Sequence, residues 1–191
     1  MTILDKIIER KKQEIADSKS EISLEQLKDS EFFERTTFSL KQTLKSKSGI
    51  ITEFKRKSPS KGIINDKVSP LEVVSQYEKF GASAVSILTD KDFFGGSFED
   101  ILSVRNHINI PILRKDFMVD EYQFYEAKSL GADVILLIAS CLSPTQVLEF
   151  TELAHQLNLE VLLEIHSEEE LVHINKDVDF GLTKAENSFY K

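Results

Sequence analysis

The chain has 191 residues, enough for one domain with a sizeable core and short for two. Its formal net charge of −8 argues against a general nucleic-acid binder, and no apolar run approaches the roughly 20 residues that span a bilayer. The single cysteine, Cys141, excludes an internal disulfide framework and any multi-cysteine metal site, so a reducing cytoplasm is the simplest home.

The N-terminal segment carries Ile3, Leu4, Ile7, Ile8 and Ile15 at near-helical spacing, which predicts a helix over 2–17. It contains acids and lacks the apolar centre of a signal peptide. Ser23 to Gln26 reads as a capping box that opens a second short helix, and Phe38, Leu40 and Leu44 mark a third helical segment. From Gly49 the pattern changes. Gly49 to Lys55 is a short β-like run, and similar runs follow at Ala84 to Leu88, Pro111 to Leu113, Asp133 to Ile138 and Glu160 to Ile165, with a weaker one at Val178 to Leu182.

Helix-start signals recur between these runs. Ser69-Pro70-Leu71-Glu72 and Ser143-Pro144-Thr145-Gln146 share an N-cap serine, a proline at the first helical position and an acid or amide at the third. Asp120 to Gln123 and Ser167 to Glu170 read as further boxes, while Gly81 and Gly131 fit helix C-termini. Strand alternating with capped helix predicts βα units around a parallel sheet. A doubly wound open sheet of five or six strands fits the length. A (β/α)8 barrel, typically about 250 residues, would be cut short. Periodicity alone slightly favours the open sheet, but no glycine-rich dinucleotide fingerprint follows the first strand.

Active groups in parallel α/β folds collect at the C-terminal ends of strands. Glu53 and Lys55 share one face of the first strand, Lys115 follows the third, and Glu164 stands near the end of the fifth. In a barrel, inward side chains of alternate strands share layers, so these four could meet in one mouth. Each has a plainer reading. Lys115 could be a solvated loop lysine, Glu164 could begin a polar loop, and Glu53 with Lys55 could be a structural ion pair. Lys55-Arg56-Lys57-Ser58-Pro59-Ser60-Lys61-Gly62 could be a basic loop for a phosphate-bearing ligand, though it lacks P-loop spacing, or a flexible basic segment. Phe93 and Phe94, beside Gly95 and Gly96, could wall a pocket or simply pack on the next helix. His107, His155, His166 and His173 form no metal-ligand spacing. Cys141 reads as a small core or loop residue rather than a nucleophile.

Ile51 to Gly62 closely resembles the first-strand signature of indole-3-glycerol phosphate synthases, E-x-K-R-x-S-P-S-x-G. Three further stretches resemble the same family in the same order: Ser86-Ile87-Leu88-Thr89-Asp90 through Ser97, Pro111 to Phe117, and Leu159 to His166. The likeness runs from the N-terminal helices to about Asp179. It implies a (β/α)8 barrel, with residues 1–48 as an N-terminal helical extension and 49–191 as a partial barrel within one domain. It implies conversion of 1-(2-carboxyphenylamino)-1-deoxyribulose 5-phosphate to indole-3-glycerol phosphate, CO2 and water, with no metal or organic cofactor. By the resemblance, Lys115 is the general acid and Lys55 contacts the substrate carboxylate. Glu164 and Glu53 serve later proton transfer and bind substrate hydroxyls and amine. Ser60 and Arg56 fall on the substrate-binding side, Ser60 towards the phosphate, and Phe94 and Phe117 wall the aromatic pocket. The resemblance also implies a small phosphosugar substrate, no nucleic-acid or membrane partner, and a monomeric full-length protein.

One departure stands out. The family continues its sixth strand with a Gly-x-Asn-Asn-Arg type of segment, where this chain reads Asp179 to Asn187 without it. The expectation is a C-terminally truncated barrel of about six strands, shortened by a frameshift, an early stop or engineering. It would lack the phosphate site that usually follows strands seven and eight. Such a fragment is expected to be poorly stable alone, to self-associate through its open edges, or to need a complementing fragment. Three readings follow: an active synthase, an inactive remnant, and a non-catalytic phosphosugar-binding module.

Overall fold

The computed structural model describes residues 2–183. Helix α1 (Ile3–Glu21) opens on a complete capping box between Thr2 and Asp5, and runs about one turn beyond the predicted 2–17. Helix α2 (Leu24–Lys28) carries the predicted Ser23–Gln26 box, and α3 (Leu40–Ser46) is capped by Ser39. The strands then follow: β1 (Ile51–Phe54), β2 (Ala84–Leu88), β3 (Ile112–Lys115), β4 (Val134–Ile138), β5 (Glu160–Ile165) and β6 (Phe180–Thr183). Between them lie α4 (Pro70–Lys79), α5 (Lys91–Phe94) with α6 (Phe98–Arg105), α7 (Tyr122–Leu130) and α8 (Pro144–Gln156).

Spatial order in the sheet equals chain order, β1-β2-β3-β4-β5-β6, and every pairing is parallel. A doubly wound sheet reverses direction at a switch point; a barrel does not. The sequential order therefore decides against the open sheet that periodicity slightly favoured. The six curled strands with alternating helices are a half-barrel, an incomplete (β/α)8 architecture.

Period-2 alternation sorts the side chains. Outward residues such as Val85, Ile87, Ile112, Ile135, Leu137, Val161 and Leu163 are buried against the helices in two apolar clusters. Inward residues Ile51, Ala84, Leu113, Val134, Leu136, Ile138 and Leu162 form a third cluster with Leu40 of α3. Asp133 ties elements together from full burial. Its carboxylate accepts from Arg105, Arg35, Phe38 N and Ile112 N.

Several local expectations shift. The Ser143–Gln146 box forms, but Ser69 makes no side-chain capping bond, so the proline alone starts α4. Gln123 reaches back to Val119 N and Asp120 N, while the Asp120 carboxylate binds Tyr122 N. The predicted box is thus half-formed. Ser167 to Glu170 opens a 3₁₀ turn (Glu169–His173), not an α-helix. Gly131 ends α7 at φ +87°, a left-handed position where glycine is favoured. Among the described residues, no helix is long and apolar enough to cross a membrane. The altered segment at 184–187 lies outside the described residues.

Candidate active site

The inward face changes character along the strands. At the N-terminal end it is apolar. At the C-terminal end the same face continues from Ile51 to Glu53 and Lys55, from Leu113 to Lys115 and from Leu162 to Glu164. The chemistry-bearing residues are thus the top layer of the barrel interior, set on an apolar floor.

Three of them touch. Glu53 Oε1 accepts from Lys55 Nζ at 2.5 Å, and Lys115 Nζ stands 3.2 Å from Glu53 Oε2. One carboxylate therefore bridges two ammonium groups, all three about 30% exposed at the open end. Burial pushes the Glu53 carboxyl up; the hydrogen bond from Lys55 and the charge of Lys115 outweigh it, and the group ends below the ordinary carboxylate range. The ion pair considered for Glu53 and Lys55 is present. It extends to Lys115, so that lysine is no free loop residue.

Glu164 stands apart from this triad and pairs with His166, Nε2 to Oε1 2.7 Å. Phe94 and Phe117 face each other with ring centroids 6.1 Å apart. Phe94 belongs to the four-residue helix α5, capped by Asp90, where sequence suggested only a loop. Ser60 is exposed on the tip of a small hairpin, Lys57–Ser58 with Gly62–Ile63, its hydroxyl 3.5 Å from that of Ser58. Arg56 is not gathered to the triad. Its guanidinium forms a bidentate pair with buried Asp100 and lies 4.9 Å over the Phe54 ring.

Sequence reasoning missed a second layer. Arg114 and Asp116 flank Lys115 and point away from it, into a buried ionic network with Thr89, Glu126 and Lys11 of α1. The available signal was alternation: charges either side of an inward lysine on a buried strand must face outward and find partners there. The histidines also find local roles. His155 pairs with Asp179, and His173 bonds the carbonyl oxygens of Leu142 and Glu170. Cys141 is half-buried after β4, and burial pushes its thiol up to about 11, which suits packing rather than attack.

Comparison of the sequence with known proteins points to one family. Residues 4–179 fit the family model described as indole-3-glycerol phosphate synthase. The chain belongs to the indole-3-glycerol phosphate synthase family. It is 50% identical over 198 residues to the synthase of Bacteroides thetaiotaomicron, covering 98% of this chain and 76% of that relative. It is 45% identical over 174 residues to the synthase of Acinetobacter baylyi and 42% over 179 to that of Polynucleobacter asymbioticus, covering 64% and 67% of those relatives. The chain thus spans about two thirds to three quarters of the curated relatives it matches. The resemblance carried by the first-strand signature is borne out, and with it the placement among lyases of tryptophan biosynthesis at the level of the family.

Proposed function

We propose that this chain performs ring closure and decarboxylation of 1-(2-carboxyphenylamino)-1-deoxyribulose 5-phosphate, releasing indole-3-glycerol phosphate, CO2 and water. The observation that carries the reading is the Lys55–Glu53–Lys115 triad at the strand ends, on the inward face of the barrel. Two ammonium groups and a carboxylate in a partly shielded mouth suit a substrate that is anionic at its carboxylate and gains charge at a ketone oxygen.

The steps divide among the residues. As the aromatic ring carbon attacks the ribulose ketone, the carbonyl oxygen takes a proton from Lys115, whose charge also stabilises the developing alkoxide. Lys55 holds the carboxylate that leaves as CO2. Loss of CO2 returns its bonding pair to the ring system. Glu53 and Glu164 then bind the hydroxyls and amine and move the protons that let the new hydroxyl depart as water. Glu53 sits between the two lysines and is ionised, so it can take up a proton that the ring system sheds in the dehydration and pass it to the Lys115 amine. Phe94 and Phe117 hold the carboxyphenyl ring, and Ser60 meets the phosphate. Arg56, bound to Asp100, supports the loop that brings Ser60 to the substrate. The reading calls on no metal or organic cofactor, gives nucleic acid no role, and goes with a cytoplasmic location.

The test is to incubate the purified chain with the carboxyphenylamino-deoxyribulose phosphate and follow indole fluorescence. Turnover that Lys115→Ala abolishes supports the proposal. Turnover that survives Lys115→Ala overturns the mechanism. Tight binding of substrate without turnover favours a binding module instead.

A further inference from the structure

Lys11 lies in the first helix, outside the barrel, yet it is only 4% exposed. Its ammonium contacts Glu14 at 2.6 Å, Asp116 Oδ1 at 2.9 Å and Asp90 Oδ2 at 3.1 Å. Glu14 is a neighbour on the same helix. The other two carboxylates come from different βα-loops, and each does a second job. Asp90, just past β2, accepts from Phe93 N at 2.8 Å and Phe94 N at 3.2 Å and so starts the turn that carries Phe94. Asp116, just past β3 and adjacent to Lys115, accepts from Phe117 N at 2.8 Å. Its other oxygen accepts from Thr89 Oγ1 at 2.6 Å, and Thr89 N donates to Lys115 O at 3.1 Å. A single ammonium thus joins the two loop ends that hold the facing rings of Phe94 and Phe117, 6.1 Å apart.

We propose that Lys11 is a positioning residue for the active site: by clamping Asp90 to Asp116 it fixes the separation of Phe94 and Phe117 and the approach of Lys115. Without the ammonium, Asp90 would lose its cation and Asp116 would keep only Arg114, which it shares with Glu126, so repulsion between the two buried carboxylates would part the loops. The clamp touches no reacting atom. It acts on the width of the slot that grips the substrate's aromatic ring, an effect that rests on the function proposed above.

The experiment compares Lys11→Met, Lys11→Arg and Asp90→Asn with the unmodified chain. Asp90→Asn keeps an oxygen for capping Phe93 and Phe94 but loses its charge, so it tests the clamp if Lys11→Met fails to fold. A widened slot raises KM about 10-fold in Lys11→Met and by a smaller factor in Asp90→Asn, with kcat falling less, and Lys11→Arg restores KM. A purely structural lysine would lower the melting temperature and the active fraction, hence kcat, and leave KM unchanged. That result in both variants overturns the proposal. The chain has no tryptophan, so Phe94→Trp supplies a single indole whose emission reads the slot without turnover. Emission that shifts with Lys11→Met and returns with Lys11→Arg supports the clamp even if the substrate is not converted, an outcome that would count only against the proposed function. Emission indifferent to Lys11 overturns it.

Discussion

The carboxylate of Glu53 lies between two ammonium groups, Lys55 on one oxygen at 2.5 Å and Lys115 at 3.2 Å from the other. Both lysines pair with this one carboxylate, so replacing Glu53 removes a partner from each at once. Glu53→Gln is expected to lower kcat by about 100-fold or more, as loss of a proton-transfer group does. Fluorescence-monitored kinetics under substrate saturation check it.

The same group makes stability depend on pH. Its folded pKa is depressed, so its contribution is present above the unfolded carboxylate value, about 4.3, and is lost as pH falls through the lower folded value. The stability of the unmodified chain relative to Glu53→Gln should therefore be constant near neutrality and decline below about pH 4. Urea denaturation of both proteins at pH 7 and at two acidic values measures the difference.

Lys55 and Lys115 should separate kinetically. Lys55→Gln removes a contact with the substrate carboxylate and should act mainly on KM. Lys115→Gln removes the proton donor and should lower kcat by about 100-fold or more. Equal effects of both on kcat alone would contradict the division of roles.

Asp133 is fully buried and neutralises Arg105, itself buried, together with Arg35. Asp133→Ala leaves two cations and two backbone N–H groups without their acceptor. The expected loss is about 3–5 kcal/mol of folding free energy, read by urea denaturation.

Glycine substitutions should split by location. A Cβ at Gly96 would meet the Leu88 carbonyl oxygen at 2.2 Å, at the end of β2, and backbone must move to admit it. Gly96→Ala should cost about 1–3 kcal/mol and disturb the Phe94 turn. A Cβ at Gly62 meets nothing within 4 Å, and only its φ of +66° resists a side chain. Gly62→Ala should cost about 1 kcal/mol. Thermal melts of the two variants rank them.

The βα rhythm was legible because Ser143-Pro144-Thr145-Gln146 and the apolar run Val134–Ile138 carry their own local signals. The top layer was legible because Glu53 and Lys55 fall on one face of a strand whatever the tertiary fold. Strand order was not, since the side chains of an open parallel sheet and of a barrel alternate alike. Lys11 was invisible for a similar reason. On its helix it reads as one more polar position among Lys6, Glu9 and Lys12, and only Asp90 and Asp116, far along the chain, make it buried. The half-formed box at Asp120 shows the same limit at short range. The Asp120 carboxylate had more than one backbone N–H within reach, and the sequence did not say that it would take that of Tyr122 rather than that of Gln123.

The sequential sheet also sets a timetable. Each strand pairs with the one made just before it, so every βα unit emerging from the ribosome meets a finished edge. The first helix follows a different schedule: Lys11 cannot close on Asp116 until about 100 further residues have been made, roughly 5–20 s at ordinary rates of synthesis. During that interval α1 has its apolar stripe and its cation but no dock. The return of the first segment synthesised therefore waits on the third strand, and Glu164 of the fifth joins the mouth only after more chain is made.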